Sequence, residues 1–190
     1  MSEKSTPMTE KEKLEFILWS IDRHDQLRST TASRAAMVIS ANALLLAGTT
    51  FLLDQAMKAA VISLNMTIFV VSMIVTLVFI VFSIVAAANT VVFVWKRTKK
   101  AVGIKDLPNT KFFHASEVVD TFKDKGFSEY VNTFQGTSRE DMIKNALGEL
   151  MQVTFVHNIR YKSLRTSIRF FLVALIPFAF CFLVIVLSLF

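Results

Sequence analysis

The chain has 190 residues, a formal net charge of +6 and a hydrophobic content of 53%, with 18 phenylalanines. High apolar content with a basic remainder is typical of a small inner-membrane protein. A basic chain can also bind nucleic acid, but here the cations cluster beside the apolar segments, which argues against that function. Cys181 is the single cysteine of the sequence, which excludes an internal disulfide and a cysteine metal site.

Three segments without a charged residue predict membrane-spanning helices. They cover residues 35–53, about 66–95 and 170–190, and the second ends in Trp95, which is followed at once by basic residues. A spanning helix needs about 20 mostly apolar residues, and an aromatic anchor before a basic collar marks a membrane interface. We therefore expect an all-α membrane protein with three transmembrane helices and a helical segment between the second and third spans.

The distribution of Lys and Arg predicts the orientation. Residues 1–34 hold six of the 21 basic residues, the first interhelical connection holds Lys58 alone, and residues 96–169 hold fourteen. Positive charge marks the cytoplasmic side. We expect the N-terminus and residues 96–169 in the cytoplasm of a bacterium, and the C-terminus outside its inner membrane.

Four parts are expected along the chain. They are an amphipathic helix and stalk (1–34), a transmembrane hairpin (35–95), a cytoplasmic helical domain (96–169) and a third span (170–190). The first helix begins at a capping box of Thr9 and Glu12, and it either packs on the other cytoplasmic helices or lies flat on the lipid surface with Phe16 and Trp19 inserted. We expect a turn at residues 54–58, a helix over 116–125 that Gly126 breaks, and a last cytoplasmic helix that runs without a break into the third span.

Polar side chains inside the spans have two interpretations. Asn42 either bonds across to a partner helix, which is the usual role of an amide in the membrane, or contacts a ligand directly. A polar stripe on the second span either packs helices together or faces water in an oligomer, since one stripe in one chain is too little for a pore. The stripe consists of Asn65, Ser72, Thr76, Ser83 and Thr90.

Four cations stand before the third span: Arg160, Lys162, Arg165 and Arg169. They form either a collar for anionic lipid or an anion site, in which a guanidinium holds a phosphate and an aromatic ring stacks on a base.

The sequence contains no catalytic constellation, no phosphate-binding loop and no metal-binding motif. We therefore expect no enzyme activity, no metal and no cofactor. The spans also lack Asp, Glu, Lys, Arg and His, which coupled transporters usually place in the membrane. A membrane-perturbing protein and a membrane-anchored interaction protein both remain possible.

Two blocks of sequence resemble the transmembrane effectors of Pycsar bacterial anti-phage systems, the PycTM family. The first, residues 23–48, carries Arg34-Ala35 and Asn42 at its entry into the first span. The second, residues 109–134 with 149–175, carries a Phe-Phe pair, a Glu-Tyr pair and an Arg-Tyr-x-x-Leu-Arg entry into the last span. This chain has Ala32 where the family has Asp, and Arg34 and Arg160 where it has Lys.

The resemblance implies an effector that senses a cyclic pyrimidine mononucleotide, cUMP or cCMP, impairs the inner membrane and aborts the infection. Its partners would be a nucleotide cyclase, the lipid bilayer and further copies of itself, without nucleic acid. The other possibility is a constitutive scaffold or channel accessory that docks a cytoplasmic partner.

A cyclic mononucleotide needs a cation for its phosphate, a ring for its base and an acceptor for a hydroxyl or base edge. The ligand-binding residues expected for these roles are Arg34, Arg160, Tyr161, Phe112, Phe113, Glu129 and Tyr130.

Overall fold

The computed structural model describes residues 8–58, 64–91, 112–113 and 115–188. These residues form five α-helices and no strand. The helices are α1 (Glu10–Lys58), α2 (Leu64–Val91), α3 (Ala115–Phe122), α4 (Gly126–Gln135) and α5 (Arg139–Ser188). The prediction of an all-α protein is confirmed.

Three of these helices, α1, α2 and α5, are long and apolar enough to cross a membrane. The predicted stalk and first span form one helix, α1, with 49 residues. The last cytoplasmic helix likewise continues into the third span as α5, and Pro177 lies inside it without ending it. Trp95 and the basic residues that follow it lie outside the described residues.

Two local predictions are wrong. Residues 54–58 are not a turn but the end of α1, where an ion pair of 2.6 Å between Lys58 and Asp54 stabilises the final turn. The helix predicted over 116–125 ends earlier, at Phe122, and residues 123–125 form a turn. Gly126 then begins α4 with a φ of +80°, a conformation that glycine adopts without the steric cost of a side chain.

Two capping interactions begin α1 and α5. Thr9 donates its backbone N–H to Glu12 Oε2 over 2.7 Å, and Glu12 N–H donates back to Thr9 Oγ1 over 3.3 Å, which confirms the predicted capping box. At the start of α5, Asp141 N–H donates to Ser138 Oγ over 3.1 Å. Both pairs satisfy backbone donors that a helix start leaves without a partner.

The chain divides into two compact units, which we name by composition. The charged unit contains residues Met1–Arg28 and Trp95–Asn158, and the membrane unit contains Ser29–Val94 and Ile159–Phe190. Helices α1 and α5 contribute residues to both units.

In the charged unit, the beginnings of α1 and α5 are in contact. Ile17 of α1 and Ala146 of α5 are buried, and His24 Nε2 lies 3.3 Å from Thr154 Oγ1. Phe16, Leu18 and Trp19 of α1 are exposed.

In the membrane unit, α1, α2 and α5 pack around a shared core. Buried residues of α2 recur in alternating steps of three and four from Phe69 to Thr90, the spacing of helices that pack at a shallow angle. One apolar cluster joins Leu52, Phe69 and Cys181, and a second joins Leu45, Ile80 and Ala174. The order of these contacts makes α2 antiparallel to α1 and α5.

Candidate functional site

A hydrogen-bonded set of three polar side chains lies inside the membrane unit. We call Asn42 of α1, Ser83 of α2 and Ser167 of α5 the polar core; all three are 0% exposed. Asn42 Nδ2 donates to Ser83 Oγ over 2.9 Å and to the carbonyl oxygen of Val38 over 2.8 Å. The polar core therefore links all three spanning helices at one level of the bundle.

The two serines of the polar core bond reciprocally. Ser83 Oγ donates to the carbonyl oxygen of Ser167 over 2.9 Å, and Ser167 Oγ donates to that of Ser83 over 2.7 Å. Both hydroxyl protons are thereby used, and the two Oγ atoms lie 3.3 Å apart. Small hydroxyl side chains allow such a close approach of two helix backbones.

The hydrogen bonds of the polar core do not use the side-chain oxygen of Asn42. Both protons of its amide nitrogen are donated, but its Oδ1 is buried and has no hydrogen-bond partner among the described residues. An acceptor without a partner in an apolar interior costs free energy.

The predicted polar stripe of α2 faces the interior of the membrane unit. Thr76, Ser83 and Thr90 are buried and Ser72 is half-buried; the Asn65 side chain lies outside the described part. Thr76 and Thr90 donate to carbonyl oxygens of their own helix, at Ser72 and Ala86, and Thr49 of α1 does the same at Leu45. We call Thr49, Thr76 and Thr90 the inner hydroxyls.

The four cations before the third span differ in exposure. Arg160 is 8% exposed, whereas Lys162, Arg165 and Arg169 are exposed. A lipid collar needs charges that reach the headgroups, so burial separates Arg160 from the other three. Arg34 and Tyr161 are also exposed.

The aromatic residues predicted at the ligand site gather in the charged unit. The Tyr130 ring lies 5.1 Å from Phe122 and 6.1 Å from Phe112, centroid to centroid, with Phe113 half-buried and Glu129 exposed nearby in sequence. Beside them lies an open groove of about 430 Å³, the size of a small-ligand site. Its lining residues, which we call the aromatic groove, are Val118, Val119, Phe122, Lys123, Gly126, Phe127 and Tyr130.

Sequence reasoning missed several of these residues. Phe122, Lys123 and Phe127 meet Tyr130 because α3 and α4 fold against each other at Gly126, and the sequence alone signals this only through that glycine. Ser167 and Thr49 were missed because each stands directly beside another hydroxyl residue, Thr166 and Thr50, and the sequence alone does not say which of the two faces inward. Their spacing from Ala174 and Asn42, seven residues in each case, is the signal that places them on the inner face.

The predicted ligand residues thus fall into two groups. Arg34, Arg160 and Tyr161 belong to the membrane unit, and Phe112, Phe113, Glu129 and Tyr130 belong to the charged unit. Among the described residues, no group of three or more His, Cys, Asp or Glu side chains is placed to hold a metal ion.

The fold and the polar core are those of an α-helical membrane protein with three candidate transmembrane helices. A family model, PycTM, described as the Pycsar effector protein domain, matches residues 17–189, and the chain belongs to this family. The family is one of effectors and implies a role in anti-phage defence within a system that includes a cyclase. Comparisons with curated proteins and with solved structures give no match.

Proposed function

We propose that this protein is the membrane-damaging effector of an anti-phage system, activated by a cyclic pyrimidine mononucleotide, cUMP or cCMP. Activation impairs the bacterial inner membrane and ends the infected cell before phage is released. The observation that carries the proposal is the extent of the family match, because residues 17–189 include both units and all three candidate spans.

The ligand's chemistry makes two regions of this chain separate candidates for its binding site, one for the phosphate and one for the base. A cyclic mononucleotide has one negative charge, and the buried guanidinium of Arg160 would offer charge-assisted bonds that exposed lysines cannot match. The flat base of the nucleotide would stack in the aromatic groove, where the Phe127 side chain is 79% exposed and Lys123 also lines the groove. The two regions lie in different units, so each is tested by its own substitution.

The deciding experiment is expression of the protein with an active pyrimidine cyclase, with an inactive cyclase and alone, while membrane potential is recorded. We expect depolarisation only with the active cyclase. Depolarisation under all three conditions would support an uncoupled channel, and none under any condition would support a scaffold. A chain whose third span is replaced by an unrelated apolar helix controls for overexpression.

The proposed orientation places the N-terminus and residues 96–169 in the cytoplasm. Alkaline phosphatase, which is active only outside the cytoplasm, should be active after Phe190 and silent after Gly126. Reversed activities would refute this orientation.

We also propose that the working unit is an oligomer, because three spans with one inner polar face are too few to enclose a conducting path alone. Crosslinking in membranes, with and without cUMP or cCMP, should yield species larger than a monomer. Detection of only monomers in both samples would refute the proposed oligomer.

A further inference from the structure

We infer that the polar core and the inner hydroxyls are the closed form of the surface that faces water when this protein breaches the membrane. The inference rests on the proposed function, because it assigns the water-facing residues of the same membrane damage. In the resting chain these residues are buried inside the membrane unit; activation separates the helices and hydrates them.

Helix packing explains only part of this polar surface. The bonds of Asn42, Ser83 and Ser167 join different helices and therefore hold the bundle together. Those of Thr49, Thr76 and Thr90 do not, because each hydroxyl bonds a carbonyl oxygen four residues back on its own helix.

A valine has almost the shape of threonine and would pack equally well at the three inner hydroxyls. The hydroxyl groups add no link between helices, yet all three are at most 4% exposed. Packing of the resting bundle does not explain why these three side chains are polar. An open state does explain it, because a wall that faces water needs hydrogen-bonding groups.

Asn42 supports the same reading. Its Oδ1 is buried and finds no hydrogen-bond partner in the described part of the chain, so the closed bundle holds an acceptor that water would satisfy. Separation of the helices hydrates this atom and offsets part of the cost of breaking the Asn42–Ser83 bond.

The opposite face of α1 supports an opening from the inside. Met37, Leu44 and Phe51 repeat every seven residues and are 60–76% exposed, which suits contact with lipid chains. On the exposed side of α1 the Thr50 hydroxyl also bonds a carbonyl oxygen four residues back, at Leu46, but residues 35–53 expose no amide side chain.

The first test locks the polar core with a disulfide. Because the Oγ atoms of Ser83 and Ser167 lie 3.3 Å apart, the pair Ser83→Cys and Ser167→Cys suits a bridge between α2 and α5. Cys181→Ser removes the native thiol. The purified chain is placed in dye-loaded vesicles with cUMP or cCMP, oxidised or reduced.

We expect the oxidised double variant to release at least tenfold less dye than the same protein after reduction. Ser83→Cys alone, treated in the same way, controls for the oxidant and should leak equally in both states. If the bridged protein leaks as fast as the reduced protein, the polar core does not open and the inference is wrong.

The second test measures water access and does not depend on a bridge. In the Cys181→Ser chain, Thr76→Cys should react with a charged, membrane-impermeant thiol reagent only when the activating nucleotide is present. Val85→Cys, on the outward face of α2, is the matched control and should stay unlabelled in lipid.

The outcomes separate the two proposals. If unsubstituted protein leaks while Thr76→Cys stays unlabelled, the membrane is damaged by another surface and only this inference fails. If unsubstituted protein does not leak with cUMP or cCMP, the proposed function fails and this inference fails with it.

Discussion

Gly48 of α1 lies against the ring of Phe178 of α5 so closely that a Cβ atom on Gly48 would stand 3.0 Å from Phe178 Cζ. That distance is shorter than van der Waals contact, so the ring must move for any side chain at this position. Phe178 packs against both apolar clusters of the membrane unit, and a displaced ring would disturb both.

We therefore expect Gly48→Leu to destabilise the protein in detergent by about 1–3 kcal/mol, the usual cost of overpacking. Gly48→Ala should cost less, since the ring needs to shift by only a few tenths of an ångström. The measurement is thermal unfolding, with Ala47→Leu as control because Ala47 is exposed. Equal loss in both leucine variants would show that the Gly48–Phe178 contact is not the cause.

Asn42 and Ser83 should respond differently to substitution. Asn42→Leu removes the unpaired Oδ1 acceptor together with the bond to Ser83; the gain from the first offsets the loss of the second, and we expect stability to change by less than about 1 kcal/mol. Ser83→Ala takes the acceptor from Asn42 Nδ2 and leaves a buried donor unpaired, at a cost of about 1–3 kcal/mol. Thermal unfolding of the two variants side by side measures the difference. A larger loss for Asn42→Leu than for Ser83→Ala would contradict the hydrogen-bond pattern.

The long helices and the spans follow from local rules, which is why they could be predicted. Absence of charge identifies a span, and absence of Gly and Pro from residues 149–176 carries α5 through Thr154 and Arg160 without a break. The turn at 54–58 was predicted wrongly because Asp54 and Lys58 look like polar loop residues, whereas their spacing of four allows an ion pair along a helix.

Burial is harder to predict, because it depends on which face of a helix meets its neighbours. In the sequence, Arg160 and Arg165 are two of four similar cations. Arg160 shares the inner face with Leu164 and Ser167, at steps of four and three, and Arg165 does not. The aromatic groove depends on how α3 meets α4, which no periodicity specifies.

The capping box of α1 predicts a pH dependence. Hydrogen bonds from the Thr9 backbone N–H and then from its hydroxyl lower the pKa of Glu12 below its ordinary value of 4.5. A carboxyl with a lowered folded pKa stabilises the helix start above its unfolded pKa, and the stabilisation is lost as pH falls through the folded value. The first turn should therefore fray only in acid, below pH 4.5.

Amide hydrogen exchange of the first turn measures this fraying. At neutral pH, Thr9→Ala should speed that exchange roughly 2- to 30-fold, the effect of losing an N-cap, and its Glu12 should titrate closer to the ordinary value. Lys11→Ala serves as control, because its contact with Glu15 is exposed and 3.8 Å long. Unchanged exchange in Thr9→Ala would contradict the cap.

Phe127 is the residue through which to test the aromatic groove. Its ring is 79% exposed, so Phe127→Ala should leave stability almost unchanged. If the base of the nucleotide stacks there, binding of cUMP or cCMP should weaken roughly 5- to 150-fold, corresponding to about 1–3 kcal/mol per stacked base. Phe16→Ala is the matched control, an exposed phenylalanine of the same unit. Equal affinity in the two variants would place the base elsewhere.

Arg160 allows the anion site and the lipid collar to be distinguished. A buried guanidinium that holds the phosphate makes charge-assisted bonds of about 1.5–3 kcal/mol, so Arg160→Ala should weaken nucleotide binding roughly 10- to 150-fold. Arg160→Lys keeps the charge but loses the planar pair of donors, and we expect an intermediate affinity. Arg165→Ala, at an exposed position five residues on, should bind like the unsubstituted protein.

If these cations instead form a lipid collar, Arg160→Ala and Arg165→Ala should weaken vesicle binding by small and similar amounts. These losses should depend on anionic lipid and not on nucleotide. Calorimetry with cUMP and cCMP in neutral detergent separates the two patterns, because no anionic lipid is present. Thermal unfolding without ligand identifies a variant that has merely lost its fold. If a folded Arg160→Ala protein binds both nucleotides as tightly as Arg165→Ala does, Arg160 is not the phosphate ligand, and its burial serves the resting structure alone.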